Sequence, residues 1–267
     1  MKPILLLLVA IGLSAPARGA DCFDEMRLAP YRPPVAREVL VAVDETTLVP
    51  PHLAADLNRT LREAVRPGDR VSLLAFSAVS RDRYVRETFQ VTVEPALSDA
   101  VRRTLPVRRI RPLERCIELR HERANRAVRE QTAAMLERAS AGIQRSEIVF
   151  SLREIGARLQ ASPVKEKVLV LVSDMLENSA FSIFYAHRRL ALIDPVQEME
   201  KIRAESLTAP LAGVRVYVFG GGLAAMDEAY RAPPSLLALE RFWSEYVKAS
   251  GGQLAAFGKP ALLVPIL

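Results

Sequence analysis

Only two cysteines, three histidines and one tryptophan occur in 267 residues, and aromatic side chains make up 6% of the chain. His52, His121 and His187 are scattered and show none of the short spacings by which proteins hold zinc. The scarcity of aromatics speaks against a general nucleic-acid binder, whose basic patches are interleaved with stacking rings. The net charge of +6 is mild, so nucleic acid is not expected as a partner. No Gly-x-Ser-x-Gly nucleophile elbow occurs. No apolar run reaches the ~20 residues that a spanning helix needs. Internal repeats, low-complexity tracts and a clear linker are absent too, so one domain is the simplest organisation. Half the residues are hydrophobic, enough for a sizeable core.

Residues 1–20 read as a secretory signal peptide: Lys2, then an apolar run over 4–13, then small residues at Ala15, Ala17 and Ala20. Cleavage falls after Ala17, which fits the small-x-small rule better, or after Ala20. Cys22 follows Gly19-Ala20-Asp21 and so lacks a lipobox. The expectation is an exported protein, periplasmic or secreted, with no integral membrane segment once the leader is removed. An even cysteine count in an exported chain predicts a disulfide between Cys22 and Cys116.

Residues 21–38 are Pro-rich and read as an irregular lead-in to a domain over 39–267. Residues 168–174, Val-Leu-Val-Leu-Val-Ser-Asp, are an unbroken apolar run ending in Ser173 and Asp174. Residues 39–44, Val-Leu-Val-Ala-Val-Asp, share that grammar. Such runs mark strands buried on both faces, as in a parallel sheet. Further strands are expected at 71–77, 84–93 (an edge), 214–219 and 253–257. Helices are expected at 52–65, from Ser146 to about 161, and at 236–249, with Leu239, Phe242, Trp243, Tyr246 and Val247 as the apolar side of the last. The alternation predicts an α/β fold with a mainly parallel, doubly wound sheet and helices on both faces. The arginine-rich stretch 98–145 reads as a helical insertion, with Glu118, Glu122 and Arg126 at ion-pairing spacing.

In open α/β sheets ligands meet the carboxyl ends of the strands, which is where Asp44 and Asp174 fall. Asp44-Glu45-Thr46-Thr47, Ser146-Glu147-Ile148 and Ser173-Asp174, together with Pro67-Gly68-Asp69-Arg70 before a strand and the last parallel strand at 214–222, resemble the von Willebrand factor type A fold. That resemblance implies a metal-ion-dependent adhesion site. Its pattern is Asp-x-Ser/Thr-x-Ser, a Thr on a second loop and an Asp after the fourth strand. Asp44 and Thr46 match the first two positions, Ser146 replaces the Thr, and Asp174 matches the last. Leu48 stands where the final Ser belongs. A Mg²⁺ ion there would take carboxylate, hydroxyl and water oxygens and leave a position for a partner's carboxylate. The alternative for Ser146 is an ordinary helix N-cap.

The resemblance thus implies a non-enzymatic adhesion or scaffold domain that binds a protein partner within an envelope or secretion assembly. Two other readings stay open. A metal-free scaffold of the same fold would bind through the arginine-rich insertion or through 175–207. An enzyme would hold a nucleotide or phosphate at Gly220-Gly221-Gly222, where residues 220–225 fit G-x-G-x-x-A. Ser162-Pro163-Val164-Lys165 fits Ser-x-x-Lys but reads as a turn.

Overall fold

The computed structural model describes residues 21–80, 83–139, 145–186, 189–191, 193–223 and 233–267; the expected leader, His187 and the end of the 220–225 motif lie outside them. Six strands form the main sheet: β1 (Arg37–Asp44), β2 (Asp69–Ser80), β3 (Arg83–Thr92), β4 (Glu166–Val172), β7 (Val214–Phe219) and β8 (Gln253–Phe257), in the order β3-β2-β1-β4-β7-β8. Every neighbouring pair is parallel except β2–β3, the antiparallel edge. A separate two-stranded ribbon joins β5 (Tyr185–Ala186) to β6 (Arg189–Leu190). The class is the one the alternation of strands and helices predicts.

The apolar runs are continuous because each strand serves two cores. Leu40, Ala42, Leu169, Leu171, Val216 and Val218 face one way, against α5 (Ile148–Ala161), α6 (Pro195–Ala204) and α7 (Pro233–Ala249). Val39, Val41, Val43, Val168, Val170 and Val172 face the other, against α2 (Pro51–Ala64) and the long α4 (Val107–Leu136). The side-chain period of two along a strand produces this division. α2 begins at a proline, which suits a first helical turn, and buries Leu53, Leu57 and Leu61 at helical spacing.

Two details differ from expectation, and a third, the helical 98–145 stretch, bears it out with added contacts to the core. The lead-in is not wholly irregular, since it holds a one-turn α1 (Cys22–Glu25) and a 3-10 turn at Ala29–Tyr31. The 98–145 stretch is α3 (Asp99–Thr104) followed by α4, and α4 contributes Ala124, Val128 and Met135 to the core. Its expected ion pairs do not form: among the described residues Glu118, Glu122 and Arg126 make none, while Glu114 pairs with Arg102 and Arg120 pairs with Glu25 and Glu94. The pairs that do form reach outside the helix, to α3, to α1 and to the residue just beyond β3.

A Cys22–Cys116 disulfide ties α1 to α4 across 94 residues of chain. Phe23, Leu28, Leu97, Leu113 and Ile117 pack around it as a small third core. Among the described residues no helix is long and apolar enough to cross a membrane.

Candidate functional site

Strand register builds the site. Val43 on β1 stands opposite Val172 on β4, and Val172 stands opposite Phe219 on β7. One residue further along, Asp44, Ser173 and Gly220 therefore emerge side by side at the carboxyl edge. Counted within the sheet, the strand order is 3-2-1-4-5-6, so β1 and β4 flank the point where the winding reverses. Open α/β sheets bind their ligands in the crevice at that point. Asp44 and Asp174 are the carboxylates that the fold delivers there.

Asp44 is completely buried and is held by four donors. Its Oδ1 accepts from the Thr46 amide (2.9 Å) and the Thr46 hydroxyl (2.6 Å). Its Oδ2 accepts from the hydroxyls of Ser146 (2.9 Å) and Ser173 (2.8 Å). The structure thus brings Thr46 and Ser146 onto Asp44, although Ser146 lies 102 residues away in sequence. Ser146 does not cap a helix: α5 starts at Ile148, and the Ser146 backbone pairs instead with Asn178. The serine hydroxyl is drawn to the buried carboxylate, a charged acceptor that makes a stronger hydrogen bond than an amide can.

Asp174 is 6% exposed. Its amide donates to the Thr47 hydroxyl (3.2 Å), its Oδ1 accepts from Leu176 N–H (3.0 Å), and its carbonyl accepts from Gly222 N–H (2.8 Å). Thr47 therefore ties the two aspartate loops together through its hydroxyl. Leu48 is 55% exposed at the rim. Met175, which follows Asp174, adopts a left-handed backbone with φ 60°. Its carbonyl accepts from the buried Trp243 indole at 2.8 Å. Trp243 stacks edge-on with Phe184 and Phe242, so the aromatic side of α7 is core, as expected, and anchors the loop that carries Asp174.

Among the described residues neither Asp44 nor Asp174 has a lysine or arginine partner. Burial pushes both carboxyls well above the usual range, and the Asp44 charge raises Asp174 further. The hydroxyl and amide donors around Asp44 offset this only in part. Such a pair favours either a shared proton or a cation.

The oxygens of this crevice fall into three kinds as donors to a divalent cation. The hydroxyls of Thr46 and Ser146 give their protons to Asp44, which leaves their lone pairs directed away from it. Ser173 donates to Asp44 and accepts from Met175 N–H (2.9 Å), so one of its two lone pairs is already taken. Thr46, Ser146 and Asp174 are then the oxygens that could meet a cation directly, with Asp44 behind them. This suits Mg²⁺, which keeps several waters and uses one or two carboxylates. Among the described residues no group of three His, Cys, Asp or Glu side chains is placed to hold a metal ion of any kind, so a cation here would depend on hydroxyl and water oxygens beside the two carboxylates.

Sequence reasoning missed two parts of this arrangement. Ser173 was visible at the strand end but not assigned to Asp44. Glu177 lies wholly buried beside the site, where its Oε2 accepts from Val149 N–H (3.0 Å) at the start of α5. Burial pushes its carboxyl up to about 8, against the pull of those helix N-terminal amides. Nothing in the local pattern of Met-Leu-Glu-Asn marks that carboxylate as buried.

The glycine triplet has a packing explanation. Gly220 (φ 103°) and Gly222 (φ 75°) are left-handed, and a Cβ on Gly221 would lie 2.2 Å from the Phe257 ring. Gly220 N–H donates to Pro260 O and Gly222 N–H to Asp174 O, so two amides that a phosphate cradle would need are already engaged. Ser162 closes the turn after α5, donates to Glu38 (2.8 Å) and accepts from Val164 N–H (3.3 Å), as the turn reading expects. His121 lies against Val65 O (3.3 Å).

No protein-family model and no curated protein matches the chain. Similar solved structures include an aerotolerance-related membrane protein from Bacteroides fragilis, at 15% identity and TM-score 0.31, covering 69% of this chain and 67% of that one. The ArnB paralog VWA2 from Sulfolobus acidocaldarius is 12% identical with TM-score 0.31, covering 73% and 38%. The PilB minor pilin from Streptococcus sanguinis is 14% identical with TM-score 0.39, covering 86% and 58%. The chain thus spans about two thirds of the first and less of the other two. At these scores the likenesses do not bear on what the chain does.

Proposed function

We propose that the chain is a non-catalytic protein-interaction domain of the von Willebrand factor A type, exported to an oxidising compartment and docking a partner at the carboxyl edge of its sheet. The observation that carries the reading is the pair of buried aspartates at the β1/β4 switch point, without a lysine or arginine partner among the described residues and with hydroxyls turned onto Asp44. Thr46, Ser146 and Asp174 would hold Mg²⁺ there, with Asp44 behind; when bound, the ion would offset the repulsion between the carboxylates and supply a Lewis-acidic position for a carboxylate of the partner. The disulfide supports the exported setting, because such bonds persist where thiols are oxidised. Leu48 makes the site weak, since it removes one oxygen.

The test is titration of Mg²⁺ and Mn²⁺ by calorimetry into the wild-type protein and into Leu48→Ser. The exposed rim position accepts a serine without disturbing the core. Weak saturable binding in the wild type and tighter binding in Leu48→Ser are expected. Flat titrations for both proteins would sink the metal-dependent reading.

A further inference from the structure

A second feature lies at the opposite edge of the sheet from Asp44. β3 runs antiparallel to β2 and returns to the level of Arg37, where β1 begins. Glu94, just beyond β3, accepts from Cys22 N–H (3.1 Å), and the disulfide fixes α1 against α4 there. Between α1 and α4 opens a cleft of about 470 Å³, lined by Glu25, Met26, Arg111, Arg115, Leu119 and Arg123 among others. Arg120 also borders it and is engaged by Glu25 and Glu94.

Arg111, Arg115 and Arg123 are exposed and form no ion pair among the described residues. With Leu119 they fall at i, i+4, i+8 and i+12, one face of the helix. Arg108 and Arg126 extend the same stripe to ~27 Å at 1.5 Å per residue. Like charges at this spacing weaken a helix, so α4 carries the stripe against its own stability. Glu118 and Glu122 stand nearby but neutralise none of it through an ion pair. Leu119 lies 49% exposed in the middle of the stripe.

We infer that this cleft docks an acidic segment of a partner protein, with carboxylates on Arg111, Arg115 and Arg123 and an apolar side chain on Leu119 and Met26. Guanidinium groups present planar forks that match carboxylates two bonds at a time. The wall formed by α1 makes the site concave. A chain of side-chain width enters such a site, whereas the flat headgroup plane of a bilayer does not. The surface is independent of the aspartate site.

Fluorescence anisotropy of a fluorescein-labelled peptide of repeating Glu-Glu-Leu-Glu, added to the purified protein, tests the inference. Saturable binding that weakens with added salt is expected. Arg111→Gln, Arg115→Gln and Arg123→Gln combined should weaken it about tenfold with an unchanged circular dichroism spectrum and a Tm no lower than that of the wild type. Leu119→Asp, a single exposed change, should weaken it as well, while Asp174→Ala should leave it intact. Absence of peptide binding, or equal binding by the triple variant, would overturn the inference. So would binding to phosphatidylglycerol vesicles but not to the peptide, which would assign the stripe to a membrane surface.

Discussion

Removing the Asp69 carboxylate should expose how the base of the sheet is held. Arg37 and Asp69 begin β1 and β2, and their side chains are only 3% and 2% exposed. The pair is bidentate, with Nε to Oδ1 at 3.0 Å and Nη2 to Oδ2 at 2.8 Å. Arg37 Nη2 also donates to the last carbonyl of α2, Ala64 O, and Asp69 Oδ2 accepts from Arg66 N–H (2.8 Å). Asp69→Ala leaves a guanidinium in the interior without its counter-charge, a loss of ~3–5 kcal/mol for a broken buried pair. At ~2–4 °C per kcal/mol for a protein of this size, Tm falls by about 10 °C. Replacing both partners, as in Arg37→Met with Asp69→Leu, removes the uncompensated charge and should cost less than Asp69→Ala alone. Urea unfolding followed by the fluorescence of the buried Trp243 measures both, with the slope m unchanged. A loss below ~1 kcal/mol for Asp69→Ala, or a double variant as damaged as the sum of its singles, would refute the reasoning.

Other perturbations have definite expected outcomes. Glu177 titrates near 8 in the folded state, above its unfolded value. Its contribution to stability is therefore complete below ~pH 4 and is lost as pH rises through ~8. Glu177→Gln keeps an acceptor for Val149 N–H, so its Tm should match the wild type near pH 5 and exceed it near pH 9 in a ~pH 5–9 series; identical profiles would show that Glu177 does not titrate in that range. Gly221→Ala pushes a methyl into Phe257 and the Gly258 carbonyl, and should destabilise by ~1–3 kcal/mol in chemical unfolding. Reducing the Cys22–Cys116 bond releases a constraint across 94 residues, worth ~4–5 kcal/mol on the chain-entropy account. Melting with and without reductant checks it, and a Cys22→Ser/Cys116→Ser variant should be insensitive to reductant.

Much of the fold was written in local pattern. The runs ending at Asp44 and Asp174 announce central strands because burial on both faces demands apolar residues at every position. Their place at the carboxyl edge follows from parallel winding alone. The disulfide partners were legible because only Cys22 and Cys116 are present to pair. What local pattern does not hold is contact across the chain. Ser146 looks like a helix cap in sequence, yet its hydroxyl goes to Asp44, because tertiary packing sets a buried charge beside it. Glu177 looks like a surface glutamate until α5 is laid over it. Glu118 and Glu122 look paired with Arg126, but i,i+4 spacing only permits an ion pair, and exposed side chains gain little by forming one. The glycines at 220–222 fit a phosphate-loop pattern and serve close packing instead, a distinction that needs the positions of Phe257 and Pro260.

The central claim is that the Asp44–Asp174 crevice takes a divalent cation. Melting curves of the wild type and of Asp174→Ala in EDTA, Mg²⁺ and Mn²⁺ test it most directly. A cation that binds only the native state stabilises by RT ln(1 + [L]/Kd), ~2.7 kcal/mol at a hundredfold excess over Kd. The account predicts a metal-dependent rise in Tm for the wild type and none for Asp174→Ala. A wild-type Tm that is the same in EDTA and in excess Mg²⁺ or Mn²⁺ would contradict it.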